Sequence, residues 1–255
     1  MSDGDVSDGV VSGPLLEIEG LRVSYGDAHA LFGVELVVTA GEVVAVLGAN
    51  GAGKSSLAGA VSGLVRPVSG HIRFEGKEIS ALPSHRVAAC GVAHIPEGRG
   101  IFPALSVVDN LRMRLRHVGG HGEREAAIAT AFELFSILGD RRRQRAGTLS
   151  GGEQQMLALA PVLAAPPTLL IADELSLGLA PMLVDGIFKT LEEASARGVT
   201  ILLIEQFVHR ALVFADRVVI LRRGRIAWEG PSSEAGPEVL ARYLSETAAA
   251  EAEAS

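Results

Sequence analysis

The chain is predicted to fold as an α/β protein around a buried parallel sheet, with a separate helical lobe. Three observations predict this. Short apolar runs rich in Val, Ile and Leu fill residues 42–47, 168–172 and 199–204. Strands covered on both faces read in this way. Helical patterns lie between them, at 54–61 and 181–197, and an alternation of strands with helices marks a parallel sheet. The stretch from about 98 to 165 is helix-rich throughout, which sets it apart as a lobe of its own.

In chain order, residues 15–19 and 21–25 read as short strands. Residues 42–47 (EVVAVL) form a buried strand ended by a glycine, and a helix follows from Lys54 to about Val61. Residues 71–74 and 91–95 are further strands. Apolar residues at helical spacing fill 106–115 and 123–138, with a glycine-bearing break at 118–122. Ser150 stands where a helix N-cap belongs and Glu153 follows three residues later, the capping-box spacing. No charge falls between Glu153 and Asp173, a length close to a membrane span. Pro161, Pro166 and Pro167 interrupt it, so it reads as a buried helix, a turn and a buried strand. A local kink is expected at Pro161. Pro181 sits at the favoured first position of a helix. Residues 199–204 and 217–221 are the last strands, and no internal repeat is present.

The length of 255 residues is ample for a large core, and the apolar (48%) and charged (21%) fractions are ordinary for a globular chain. The net charge of −7 is concentrated at the ends. Asp3, Asp5 and Asp8 lie in residues 1–13, and Glu246, Glu251 and Glu253 in 245–255, with no basic residue in either tail. Both tails read as disordered, leaving a nearly neutral body from 14 to 244 and nothing to recommend nucleic acid as a partner. A single cysteine, Cys90, excludes a disulfide framework and fits a reducing compartment. The acidic N-terminus shows no secretory signal.

Residues 48–55 read GANGAGKS, the pattern G-x-x-x-x-G-K-[ST]. Gly48, Gly51 and Gly53 let successive backbone N–H groups, with those of Ala49, Asn50 and Ala52, turn inward around phosphate oxygens. The following helix presents unpaired donors and a partial positive charge at its N-terminus, beginning with Lys54, Ser55 and Ser56. Lys54 can reach β- and γ-phosphates, and the Ser55 hydroxyl can ligate Mg²⁺. The motif follows a predicted buried strand and opens a predicted helix, the arrangement its chemistry requires. Asp173 and Glu174 end another buried strand, at the edge where α/β sheets bind ligands. Alone, such a pair reads as a solvated turn. Beside a phosphate loop, Asp173 reads as the aspartate that holds Mg²⁺ through water, and Glu174 as the group that polarises an attacking water.

Residues 149–155 read LSGGEQQ. This resembles the signature of ABC ATPases, and the order of phosphate loop, signature and acidic strand resembles that family from about residue 15 to 244, which implies a phosphate-loop NTPase fold with a RecA-like sheet lobe, an antiparallel β part and a helical subdomain. Ser150 and the N–H groups of Gly151, Gly152 and Glu153 make a second anion site at a helix start. The resemblance implies a head-to-tail dimer, with ATP between the phosphate loop of one subunit and the signature of the other. It implies that Tyr25 stacks on adenine, an interaction worth about 1–3 kcal/mol. Three positions depart from the general family pattern. Glu97 stands where most members have glutamine, Gln206 where most have a histidine facing the γ-phosphate, and Ala180 where most have an aspartate. Together with PEGR at 96–99 and SLGLAP at 176–181, these resemble one of the two ATPase subunits of branched-chain amino acid importers. The urea or short-chain amide importer ATPase is a near relative of that branch. Leu175, in place of a proline, and Pro161, in place of an arginine, depart even from the branch.

The resemblance implies ATP and Mg²⁺ as cofactors, with Ser55, Asp173 and Glu97 around the metal and Gln206 beside the γ-phosphate. It implies two membrane permease subunits, a second ABC ATPase or a second copy of this chain, and an extracytoplasmic solute-binding protein as partners. The chain would then sit in the cytoplasm, on the inner face of the membrane. The loop of Glu97, Arg99 and Phe102 would face the permeases. A rival reading is an ATP-dependent clamp with little turnover. A soluble ABC ATPase of translation or repair would need a second cassette or sustained heptads, and another phosphate-loop enzyme such as a kinase leaves LSGGEQQ unexplained.

Overall fold

The computed structural model describes residues 13–98, 100–176, 181–205 and 208–241. Both predicted tails, apart from Gly13 in the first, and also Arg99, Ala180 and Gln206 lie outside the described residues.

The chain opens with two long strands, β1 (Pro14–Tyr25) and β2 (Ala28–Thr39), followed by β3 (Val43–Leu47) and the helix α1 (Lys54–Val61). Next come β4 (Ser69–Phe74), β5 (Lys77–Glu78), α2 (Ser84–Ala89) and β6 (Val92–Ile95). Four helices succeed them: α3 (Val107–Arg114), α4 (His121–Leu134), α5 (Ser136–Asp140) and α6 (Gly151–Ala164). The chain then runs through β7 (Leu169–Asp173), α7 (Pro181–Ala196), β8 (Thr200–Glu205), α8 (Val208–Phe214), β9 (Arg217–Arg222), β10 (Arg225–Pro231) and α9 (Pro237–Leu240).

Two sheets result. One is antiparallel, in the order β2-β1-β4-β5; the other runs β10-β9-β3-β8-β7-β6, parallel except for the β10 edge. The apolar runs are explained by the second sheet. Alternate residues of β3, Val44 and Val46, pack toward α1 and the antiparallel sheet, while Val43, Ala45 and Leu47 pack toward α6, α7 and α8. Both faces are covered, so no alternation of polar residues survives.

The helices α3 to α6 enclose a further core around Leu111, Leu115, Ile128, Leu138 and Leu157. The helix α6 serves two cores. Leu157 and Ala160 face the helical one, and Ala158, Leu159 and Val162 the sheet.

Several elements differ from the sequence reading. The two first strands are one, β1, with register shifts around Gly20, whose φ of 58 accommodates a bulge rather than a break. The strands β2, β5 and β10 and the helices α2 and α9 have no counterpart in the sequence reading. The helix over 123–138 is divided at Phe135 (φ −127, ψ 76) into α4 and α5. The helix α6 runs through Pro161 to Ala164, and its bonding continues where Ala165 N donates to Pro161 O at 2.9 Å. No described helix is long and apolar enough to cross a membrane.

The sheets are tied at one end by Arg217. Its guanidinium donates to Glu42 Oε1 at 2.6 Å, to the carbonyl of Val37 and to Glu229. Burial pushes the Glu42 carboxyl up, but the bonds from Arg217 and Thr39 outweigh it and hold the group below the usual carboxylate range. A depressed carboxyl stabilises the fold above its unfolded pKa, and that stabilisation is lost as pH falls through the depressed value. Arg217→Met is therefore expected to lower Tm at pH 7 by about 4–8 °C, for a loss of about 2 kcal/mol. The gap from wild type should narrow as pH falls below the ordinary carboxylate value of 4.5. Thermal unfolding followed by circular dichroism from pH 7 to pH 3 checks both statements.

Candidate functional site

The parallel strands β3, β8, β7 and β6 end at one edge of the sheet. Leu47 of β3 pairs with Glu205 of β8, Ile204 of β8 with Asp173 of β7, and Ala172 of β7 with Ile95 of β6. The phosphate-loop sequence leaves β3 there, the acidic pair leaves β7, and Pro96 and Glu97 leave β6. The sheet order places β8 between β3 and β7, so two segments distant in sequence converge at one edge.

The loop of residues 48–53 fits closely against its surroundings. A Cβ on Gly48 would lie 2.4 Å from the Leu221 carbonyl oxygen. Gly53, at φ +107, would bring one to 2.8 Å from the Ala30 carbonyl oxygen. Gly51, at φ +75, has nothing within 4 Å. Gly51→Ala thus bears only the left-handed backbone, at about 1–2 kcal/mol, whereas Gly53→Ala adds a collision. ATP affinity, followed by titration with a fluorescent nucleotide, is expected to fall about tenfold in the first variant and further in the second.

Gly53 is the N-cap of α1, and no acidic residue occupies the first turn. The positive end of the helix dipole therefore faces the loop unopposed. Lys54 is buried and curls back, donating to Gly48 O at 2.9 Å and Ala49 O at 3.2 Å. Its Nζ also lies 3.3 Å from Glu174 Oε1, and this carboxylate is 8% exposed. Glu174 adopts a left-handed backbone (φ 49), which is strained for a residue with a side chain. Its N–H donates to Ile204 O at 2.8 Å. The segment that follows is clamped to β8, with Ser176 Oγ donating to Glu205 Oε2 at 2.6 Å. Leu175 is buried among the residues of the helix-facing core, so it is anchored without the proline.

An open cleft of about 560 Å³ lies over Lys54 and Ser55. Tyr25, His29, Ser56, Glu97 and Glu174 are among its walls. Tyr25 is 54% exposed, with its hydroxyl 3.4 Å from Ser56 Oγ, so the ring face is free to receive a planar group. Asp173 lies behind the cleft. Burial, with the neighbouring charge of Glu174, pushes its carboxyl up to about 6 against the bond from Ser55, and Glu97 adds to the rise. Its Oδ1 is buried with no hydrogen-bond partner. A buried, unpartnered carboxylate oxygen beside a hydroxyl and among other carboxylates fits a divalent cation. Among the described residues no group of three or more His, Cys, Asp or Glu could hold a metal ion. The residues fit Mg²⁺ only as part of a shell completed by phosphate and water.

The cleft contains no residue of the LSGGEQQ segment. Ser150 caps α6 instead, accepting from Glu153 N at 3.4 Å, while Ser150 N donates to Glu153 Oε2 at 2.8 Å. The Glu153 carboxylate, held low by that backbone bond, also pairs with Arg141 at 3.0 Å. It is thus committed to the start of its own helix. Gly151 and Gly152 are the first residues of α6 and partly exposed.

Four residues escaped the sequence reading. His29 lines the cleft beside Tyr25, and Glu205 and Ser176 form the clamp. His94 of β6 lies 4.0 Å from Asp173, and burial, with the charge of Arg114, pushes its imidazole down to about 4. A charge ending the apolar run of β8 was the one available signal, at Glu205. A second cavity, of about 480 Å³, opens between the sheet and the helical lobe. Phe102, Arg114, His117 and Pro161 are among its walls.

The ABC transporter family profile matches residues 31–176. The chain is 41% identical to the high-affinity branched-chain amino acid transport ATP-binding protein BraG of Pseudomonas aeruginosa, over 90% of this chain and 99% of the relative. It is 36% identical to the probable branched-chain amino acid transport ATP-binding protein LivF of Archaeoglobus fulgidus, over 86% and 93% of the two chains. Among solved structures, an ATP-binding cassette of an ABC transporter in its ADP conformation superposes with a TM-score of 0.76 at 26% identity, covering 94% and 98% of the chains. CbiO1 of Clostridium perfringens gives 0.75 at 28%, covering 90% and 94%. The fold, the phosphate-loop cleft and these likenesses agree: the chain belongs to the ABC transporter family and is one of its ATP-binding cassettes.

Proposed function

We propose that this chain binds ATP with Mg²⁺ and hydrolyses it to drive an importer of branched-chain amino acids. The observation that carries the ATP part is the cleft itself, which gathers Tyr25, Lys54, Ser55, Glu97 and Glu174 at one sheet edge. The substrate class rests on the names of the relatives BraG and LivF.

In this reading Tyr25 stacks on adenine. The loop N–H groups from Gly48 to Gly53, with Lys54, Ser55 and Ser56, hold the phosphates. Ser55 and Asp173, with Glu97 nearby, hold the cation. Mg²⁺, when bound, supplies positive charge that neutralises the β- and γ-phosphate oxygens. Glu174 accepts a hydrogen bond from the attacking water and orients it in line with the γ-phosphate. Lys54 then exchanges its contact with Glu174 for phosphate oxygens, which releases the carboxylate to the water. Gln206 donates a hydrogen bond near the γ-phosphate, where an imidazole stands in most members.

Because the cleft of one chain includes no signature residue, Ser150, Gly151 and Gly152 would close over ATP from a second cassette, either another copy or a different ATPase. Two permease subunits would dock on the groove between the lobes, near Glu97, Phe102 and Arg114. An extracytoplasmic binding protein would deliver the solute to them. The chain would act in the cytoplasm, on the inner face of the membrane.

The test is reconstitution in proteoliposomes with the permeases and the second ATPase. ATP-dependent uptake of labelled leucine, isoleucine or valine is the expected result. Uptake of urea or short amides instead would move the chain to that neighbouring branch, and ATP binding without turnover in the assembled transporter would favour the clamp.

A further inference from the structure

His94 is the polar residue in an otherwise apolar strand, β6. Its side chain is 10% exposed and its two ring nitrogens meet different partners. Nδ1 lies 3.0 Å from Ser62 Oγ, just beyond the last turn of α1. Nε2 lies 4.0 Å from Asp173 Oδ2 and has no hydrogen-bond partner. Asp173 Oδ1 is likewise buried without one. Arg114 from the helical lobe is the other charged group that acts on the ring. Ser62, His94, Asp173 and Ser55 thus form a file of polar groups beside α1, inside a core that is otherwise apolar.

The tautomer decides what this file does. A carboxylate only accepts hydrogen bonds. If Nε2 carried a lone pair, two acceptors would face each other at 4.0 Å, a buried arrangement that is costly. The conflict disappears when Nε2 carries the hydrogen. Ser62 Oγ, which otherwise donates to the Ala58 carbonyl at 2.8 Å, then turns its hydrogen to Nδ1 while that carbonyl keeps the bond from Ser62 N at 3.0 Å, and Nε2–H points to Asp173 Oδ2. A doubly protonated ring presents Nε2–H in the same direction, so the conclusion does not depend on the charge of the ring. The gap exceeds direct hydrogen-bond reach, and a small rotation of the carboxylate closes it.

We propose that His94 is a positioning residue for Asp173: its Nε2–H fixes Oδ2 and leaves Oδ1 turned to the cation that accompanies ATP. The inference rests on the proposed role of Asp173 at the metal. Groups in the second shell of a metal ligand typically change metal affinity by about 10–100-fold when removed.

Mn²⁺ is the probe, because its binding to the purified full chain with a non-hydrolysable ATP analogue is read directly by electron paramagnetic resonance. His94→Leu is expected to weaken Mn²⁺ binding by about tenfold or more, with the affinity for the analogue in the absence of metal unchanged. His94→Gln, whose amide N–H falls near the place of Nε2, is expected to recover most of the loss. Ser62→Ala, which removes the partner of Nδ1 without a large change in volume, is expected to show a smaller loss in the same direction, and it keeps the test open if His94→Leu does not fold. Wild-type Mn²⁺ affinity in folded His94→Leu, or in Ser62→Ala if the leucine variant does not fold, would overturn the inference. Asp173→Asn separates the two readings. If it binds Mn²⁺ as wild type does, the metal role of Asp173 fails; if it alone loses Mn²⁺, only the role of His94 fails.

Discussion

Lys54→Ala is expected to abolish ATP binding and turnover and, separately, to destabilise the nucleotide-free protein. The two effects have different origins. For binding, the variant removes the buried cation at the mouth of the loop, and a charge-assisted bond to phosphate is among the stronger contacts a protein makes. A fall in affinity of more than about a hundredfold, or about 3 kcal/mol, is the expected result in a fluorescent-nucleotide titration. For stability, Lys54 and Glu174 face each other at 3.3 Å with 4% and 9% of their side chains exposed. Removing one partner of such a pair costs about 3–5 kcal/mol, because the other charge stays buried. The Tm of Lys54→Ala should therefore fall by several degrees. Adding Glu174→Gln in the same chain should recover part of that Tm and none of the ATP binding. Equal Tm values for the single and double variants would show that the pair contributes nothing to the nucleotide-free fold.

Glu174→Gln alone is expected to keep ATP binding and lose turnover by about 10²–10⁴-fold, the range of general-base contributions. Glutamine has nearly the shape of glutamate, so the left-handed backbone at φ 49 and the bond to Ile204 O have no reason to change. Lys54 keeps its contacts with Gly48 O and Ala49 O. What disappears is the acceptor strength that the proposed mechanism uses to orient water. Bound ATP should then persist, and size-exclusion chromatography with ATP should show a dimer that wild-type protein forms only transiently. A steady-state rate equal to wild type would remove Glu174 from the chemistry.

The groups these predictions use were legible in the sequence to different degrees. The phosphate loop, the Ser150 cap and the Asp173–Glu174 pair could be read directly. Each is defined by neighbours within a few residues: glycines at positive φ, a serine three residues before a glutamate, and acids at the end of an apolar run. The parallel strands could be read for the same reason, since a strand covered on both faces leaves no polar residue within it. The Lys54–Glu174 pair, the Ser176–Glu205 clamp and the approach of His94 to Asp173 could not. They depend on β8 lying between β3 and β7 and on β6 lying beside β7, and strand order is not written in any one segment.

The strand β2 escaped for another reason. Its buried residues Leu31, Val34, Leu36 and Val38 break period with Gly33 between them, and the partner that makes the pattern readable is β1. Pro161 reads from sequence as a local kink within α6. The helix continues because it is packed between two cores, and burial on both sides offsets the loss of one backbone hydrogen bond. The sequence by itself determined the family of the chain and the chemical groups at its proposed phosphate site, because those rest on local backbone geometry and residue type. Only the tertiary structure decided which charges are paired there, what positions Asp173, and that the signature lies outside the cleft of its own chain, because these are distances between segments that the sheet order alone brings together or keeps apart.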